Sequence, residues 1–428
     1  MLTLEDFGVS YHEAMLSNGL RVVLFERPHA PIALKAVLFA GSRFDPQGKE
    51  GLAHFTEHMI LGGTKQFPTR EDLGSYIETY GGTYGAGTGP DVMLIRANVG
   101  DPNDIQVPFN ILHGAVCEPL FNPEAIETER RVILDELRRE KANPADMIGK
   151  QLWERLLFQG TELGRPILGT EESLRSIQKQ DIEGFHACSF HSGSAVLLAS
   201  GGISVEQLCE IAERSLVMPR GTPFAYSRPI DQKRDMPVMI EQYHGIEQVH
   251  LMLGFRTVPL THRDYMPLNL LSGIFANGRT SVLLRRLRNE LGLVYGESAY
   301  AVASGDSGAF FVKTATAKKH VQQVLDVITQ EIIRIADHGV SEDQLEHVKN
   351  RIMKSRRLNM QTSSDWVDFH GNGILFRRDQ WTLVNFLSEV AAVTISDIQR
   401  IAKTYFGPDK WYLGMCGDIT EQDARINW

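Results

Sequence analysis

Two histidines and a glutamate crowd one short stretch, Gly51-Leu52-Ala53-His54-Phe55-Thr56-Glu57-His58-Met59-Ile60-Leu61-Gly62-Gly63-Thr64. Leu52, Phe55 and Met59 recur at i, i+3 and i+7, which predicts a helix with one face in a core. On that helix His54 and His58, four residues apart, stand one turn above the other on a single face. Two imidazoles so placed can chelate one metal ion. Zinc takes neutral imidazoles, usually a third protein ligand and, in catalytic sites, an open position for water. The pKa of that water falls to about 7, and a neighbouring carboxylate can take its proton. Glu57, three residues after His54, is the natural base. By itself the His-x-x-Glu-His pattern also fits two surface histidines beside a solvated glutamate, so a third ligand decides between the readings.

Residues 123–142 offer one. Pro123 suits the first turn of a helix and Pro144 lies beyond its end. Ile126, Ile133 and Leu137 mark its apolar stripe, and Glu129 and Glu136 each follow an isoleucine of that stripe by three residues. Both carboxylates therefore turn toward the buried side, while Glu124, Glu127, Asp135 and Glu140 read as solvent-facing or rim acids. A buried carboxylate is costly unless it is paired or bound to metal. A salt bridge to a nearby arginine would satisfy it; given the histidine pair, metal ligation is the favoured reading.

The elements that must position these groups read as α+β. Arg21-Val22-Val23-Leu24-Phe25 and Ala33 to Phe39 look like strands with a turn around Pro28 to Pro31, and Val321 to Ile335 has apolar residues at helical spacing. Strand and helix signals do not alternate regularly, which argues against a doubly wound parallel sheet. The chain divides into two related parts, residues 1–212 and 238–428, about a proline-bearing linker at 213–237. Asp181-Ile182, Phe190, Gly201 and Ile203 recur as Asp397-Ile398, Phe406, Gly417 and Ile419, every member displaced by 216 positions. Two αβ corners could look alike by chance; the constant offset favours duplication. Aligning Ile126 with Leu345 sets Val348 and Ser355 against Glu129 and Glu136, so the second half has no metal site of its own.

Composition bounds the partners. The 428 residues are 43% hydrophobic and 23% charged, ordinary for a globular chain, with 44 Lys+Arg against 53 Asp+Glu and a net charge of −9. No basic block points to nucleic acid, and no apolar run approaches the roughly 18 residues of a membrane span. Met1 to Phe7 has neither a basic start nor an apolar h-region, and Cys117, Cys188, Cys209 and Cys416 form no C-x-x-C pair. They read as reduced, mostly buried thiols of a cytoplasmic protein.

With these motifs the sequence resembles the inverted-motif zinc peptidases, the family of pitrilysin, insulin-degrading enzyme and mitochondrial processing peptidase, over nearly its whole length. Gly51 to Thr64 matches the family's signature helix. Glu129-Arg130-Arg131-Val132-Ile133-Leu134-Asp135-Glu136 matches its downstream Glu-Arg-x-x-Val-x-x-Glu element in both acids, 78 residues separating His58 from Glu136. The resemblance implies that His54, His58 and Glu136 hold one Zn²⁺ per chain, with Glu57 as base and Glu129 orienting a ligand. Gly81-Gly82-Thr83-Tyr84-Gly85-Ala86-Gly87-Thr88 falls where the family has an edge strand to which substrate adds as a further strand, so Gly82, Thr83, Tyr84, Gly85, Ala86 and Thr88 are candidate substrate contacts. Gly85 stands where the family commonly has Asn; an ordinary hairpin with a bulge would carry the same glycines. In the second half, Arg279 to Leu284 followed by Leu287 to Tyr295 resembles the signature whose Arg and Tyr, here Arg288 and Tyr295, reach over the bound peptide and its oxyanion; alone, a helical Arg and a strand Tyr are ordinary structural residues.

The implied architecture is two homologous domains, each a mostly antiparallel mixed sheet packed with helices, together one bowl of a clamshell. The implied function is a zinc metalloendopeptidase acting on peptides or unfolded polypeptides enclosed in a homodimer. One alternative is the catalytic subunit of an obligate heterodimer with a silent homologue. The silent subunit of mitochondrial processing peptidase carries a long glycine-rich loop, whereas Ile274 to Arg279 is short here. Another is a scaffold of the same fold, though scaffolds tend to have damaged metal motifs.

Overall fold

The β-branched and aromatic runs form two sheets whose strands follow one plan. The computed structural model describes residues 3–223, 237–377 and 382–428; the middle of the expected linker, 224–236, lies outside them. The first sheet contains β1 (Ser10–Met15), β2 (Arg21–Glu26), β3 (Ile32–Leu38), β4 (Thr83–Thr88), β5 (Met93–Val99) and β6 (Ala195–Gly201), in the order β1-β2-β6-β3-β5-β4. The second contains β7 (Val238–Gln242), β8 (Gln248–Thr257), β9 (Val294–Ala303), β10 (Gly308–Ala317) and β11 (Trp411–Gly417), in the order β7-β11-β8-β10-β9. Without β1 the two orders coincide strand for strand. Each has one parallel pair, β2 with β6 and β7 with β11, and is otherwise antiparallel. The fold is α+β.

The repeated aspartates explain the 216-residue offset. Asp181 and Asp397 sit at the third position of helices Lys179–Ser189 and Ile395–Tyr405, each closing a capping box, with Gln178 and with Thr394. A side chain there satisfies amides the first helical turn leaves open. Each helix then leads into a central strand of its sheet, β6 or β11.

The two compact units are not simple halves of the chain. The first comprises Met1–Leu137, Arg165–Tyr226 and Arg356–Asn385; the second comprises Arg138–Gly164, Ser227–Ser355 and Phe386–Trp428. Each takes a segment from the other half of the sequence. In the first, helix Ser363–Arg377 lies on β3 and β6. There Lys35 donates to Asp368 at 2.7 Å, and the His370 ring stacks on Phe25 at 4.0 Å. In the second, Met147, Ile148, Leu152, Leu156 and Phe158 fill the core beside Met252, Phe311 and Tyr412. Burial pushes the His370 imidazole down to about 3, so it is a neutral packing group.

The cysteines depart from expectation. All four are free, but only Cys416 is buried, and Cys188 is exposed on helix Lys179–Ser189, whose apolar side is spent on Ile182 and Phe185. No helix among the described residues is long and apolar enough to cross a membrane.

Helix Leu52–Ile60 buries Leu52, Phe55, Met59 and Ile60, as its periodicity demands. Its start is fixed by Asp45, 1% exposed, whose two oxygens accept from the Gly51 and Ala53 amides at 2.7 Å each. Gly51 (φ +91°) and Gly169 (φ +71°) pass so closely that a Cβ on Gly169 would stand 2.2 Å from the Glu50 carbonyl oxygen. Gly169→Ala is therefore expected to cost about 1–3 kcal/mol of stability through backbone strain and displacement. Urea unfolding checks this; an unchanged midpoint would show that the helix start does not depend on this approach.

Candidate metal centre

Helix Leu52–Ile60 brings His54, Glu57 and His58 together, their ligand atoms all within 4.8 Å of one another. The two imidazole rings are 4.6 Å apart at an interplanar angle of 73°. Helix Pro123–Ala142 delivers the acids. It buries Ile126, Ile133 and Leu137, so Glu129 and Glu136 face the histidines. Glu136 Oε2 stands 3.9 Å from His54 Nε2 and 3.7 Å from His58 Nε2. Tetrahedral zinc with ligands at about 2.0–2.1 Å separates them by about 3.3–3.4 Å, so the donors stand about half an ångström wide of that arrangement.

The surroundings also fit a cation. His58 Nδ1 lies 2.8 Å from Glu129 Oε2, and Glu129 Oε1 accepts from Arg70 at 3.0 Å. A proton shared between Nδ1 and Glu129 leaves the Nε2 lone pair directed at the Glu136 side, the tautomer a metal ligand needs. Burial works to lower the His58 pKa, but the Glu129 bond and the charges of Glu57 and Glu136 raise it above its ordinary value. Burial would likewise raise Glu129, yet His58 and Arg70 hold it below the usual carboxylate range. Three carboxylates around two imidazoles, with Arg70 at the rim, make a strongly negative locus that a divalent ion would balance. The donor set, two imidazole nitrogens and a carboxylate oxygen, is one zinc accepts.

Glu57 is placed differently from Glu136. Its Oε2 approaches His54 Nε2 at 3.9 Å and accepts from Thr88 Oγ1 at 3.3 Å, and burial raises its pKa. Glu136 stands near both imidazole nitrogens and Glu57 beside one of them.

Thr88 ends β4, an edge of the first sheet. Thr83, Tyr84, Gly85 and Ala86 lie on that strand, and Gly82 in the turn before it, where a Cβ would stand 2.5 Å from the Asn98 carbonyl oxygen. Tyr84 and Ala86 pack against the core. Arg288 and Tyr295 belong to the second unit, Arg288 on the π-helical segment Leu284–Glu290 and Tyr295 on β9. The guanidinium lies 5.1 Å from the Tyr295 ring centre, and Tyr295 is 83% exposed. Arg286, two residues earlier, is tied to the buried Glu331, which also accepts from Arg334.

Two contributors escape a reading of spacing. Arg70 is the first residue of helix Arg70–Thr79, whose Thr69–Asp72 capping box aims it at Glu129 and at the His58 carbonyl oxygen, 3.2 Å away. Asp45 reaches its helix through a loop. Neither shows a periodic signal; the one available cue was an acid a few residues ahead of a helix with no capping side chain of its own.

Residues 21–171 match the family model described as insulinase (peptidase family M16), and residues 176–352 match the one described as the peptidase M16 inactive domain. A Rickettsia bellii protein named an uncharacterized zinc protease is 27% identical over 375 residues, covering 86% of this chain and 87% of its own. The mitochondrial-processing peptidase subunit beta of Lentinula edodes is 25% identical over 432 residues, covering 97% and 92%. The fold is shared with a crystal structure described as the peptidase M16 inactive domain from Pseudomonas fluorescens, with TM-score 0.87 and 19% identity over 96% of this chain and 99% of that one. The inactive-domain match spans residues 176–352, which contribute no metal cluster among the described residues. The chain belongs to peptidase family M16 and is a zinc metallopeptidase.

Proposed function

We propose that this peptidase is a cytoplasmic endopeptidase that cleaves peptides or unfolded polypeptides, with His54, His58 and Glu136 as metal ligands and Glu57 as general base. The approach of Glu136 to both imidazole nitrogens, with Glu57 beside them and Glu129 behind, carries the reading. Zinc held there supplies a Lewis acid for the scissile carbonyl and lowers the pKa of a water to about 7. Glu57 is placed to take the proton of an attacking water and pass it to the leaving amine. The Thr88 hydroxyl keeps its carboxylate turned toward His54. Glu129 fixes the His58 ring, and Arg70 fixes Glu129. The β4 edge holds the peptide as an added strand through backbone hydrogen bonds, largely independent of its sequence. Arg288 and Tyr295 grip the peptide backbone and donate to its developing oxyanion.

The chain acts as half of a two-bowl chamber and dimerises, the Arg288–Tyr295 pair of one copy serving the metal site of the other. The one metal cluster among the described residues and the exposed Arg288–Tyr295 pair support this, as do relatives that align over most of their length. The relative named a processing-peptidase subunit keeps a heterodimer as the second reading.

Glu57→Gln is expected to lower kcat by about 10²–10⁴-fold with zinc per chain unchanged, measured by quenched-peptide hydrolysis and metal analysis; loss of zinc as well would move Glu57 into the ligand set. Glu129→Ala is expected to weaken zinc by about 10–100-fold in a chelator competition, and unaltered affinity would remove its orienting role. Glu57→Gln and Arg288→Ala chains, each inactive alone, should regain chelator-sensitive cleavage when unfolded and reannealed together. No recovery would assign the pair to the metal site of its own chain or to a different partner.

A further inference from the structure

Strand alternation divides the edge strand β4 into two faces. Tyr84 and Ala86 pack into the core on one face, where Thr88 reaches Glu57. The other face carries Thr83, Gly85 and Gly87, whose partners across the ladder on β5 are Asn98, Arg96 and Leu94. Asn98 donates to Thr83 Oγ1 at 3.2 Å, closing one end of this strip. In the middle, the absence of a side chain on Gly85 lets the Arg96 guanidinium lie across it. A Cβ at Gly85 would meet Arg96 Nε at 3.4 Å and Nη2 at 3.8 Å. Arg96 is exposed, and among the described residues it makes no hydrogen bond or ion pair. Its other neighbour in register, Lys35 on β3, does not compete for anions, because Asp368 holds its ammonium at 2.7 Å.

A guanidinium is thus displaced toward the open edge of the sheet over Gly85, without a counter-charge of its own. Adjacent strands lie about 4.7–4.9 Å apart, so every second side chain of a strand added to β4 rises on this face next to the fork. A carboxylate there can accept two parallel N–H bonds from it, a match a lysine would not make. We propose that Arg96 is a specificity-determining residue that selects peptides carrying a glutamate or aspartate at the position alongside Gly85. The inference rests on the reading of β4 as the substrate edge and adds the substrate class to it. An asparagine at Gly85 would put its own side chain where the guanidinium now lies, so the glycine is what makes room for this selectivity.

The test uses zinc-loaded protein carrying Glu57→Gln, so that peptide binds without turnover, and fluorescent peptides that differ only by Glu, Gln or Lys at one position moved along the sequence. Anisotropy should show one position at which Glu binds about tenfold or more tighter than Gln, the range of a charge-assisted hydrogen bond. Adding Arg96→Gln should erase that difference, and Arg96→Glu should turn it into a preference for Lys. A glutamate preference that survives both substitutions, equal binding of all three peptides, or no binding would each overturn the proposal. Chelator-sensitive cleavage of the Gln peptide by protein with Glu57 intact reports separately on peptide engagement at the metal site, whatever Arg96 does.

Discussion

The bond between His58 and Glu129 is the constraint on which the site depends. It joins a helix built around two imidazoles to one built around two acids, and it settles which ring nitrogen keeps a lone pair. Without it the His58 Nε2 atom could turn away from Glu136, and three carboxylates would be left in a partly dry pocket to repel one another. Arg70 extends the same logic outward by neutralising part of the Glu129 charge and clasping the His58 carbonyl oxygen. A cluster so weighted toward negative charge favours a bound cation, so the electrostatics suit a metal as well as the donor set does.

The chain carries two versions of one sheet plan that differ in what they hold. The strand orders still coincide, and so do the capping aspartates that begin the helices leading to β6 and β11. The acids do not. By the alignment of Ile126 with Leu345, Val348 and Ser355 of helix Glu342–Asn359 fall opposite Glu129 and Glu136, and Val348 is buried as an ordinary core residue. What the second unit offers instead is an exposed tyrosine with an arginine over its ring, set on an edge strand that corresponds to β4.

Much of this was legible in the residues. Ile126, Ile133 and Leu137 fixed the face of the acid helix, and hence which glutamates could reach the histidines, because helical periodicity is a short-range property. The offset between Asp181 and Asp397 revealed the repeat because capping boxes need one residue type at one place. The exchange of segments between units was not legible. Residues 138–164 and 356–385 carry the same apolar periodicity whichever sheet they cover, and nothing local tells a helix which of two similar cores it will fill. Arg96 escaped for a related reason: in sequence it is one polar residue in an alternating strand, and only the register opposite Gly85 gives it a role.

That exchange has a consequence for how such a chain came to be and how it can be divided. A tandem copy of a gene would produce two self-contained modules, separable by a cut between them. Here a cut near the midpoint would leave each fragment short of a helix that its own sheet requires while holding one that belongs elsewhere. Each unit's core is thus completed only when both ends of the chain are present.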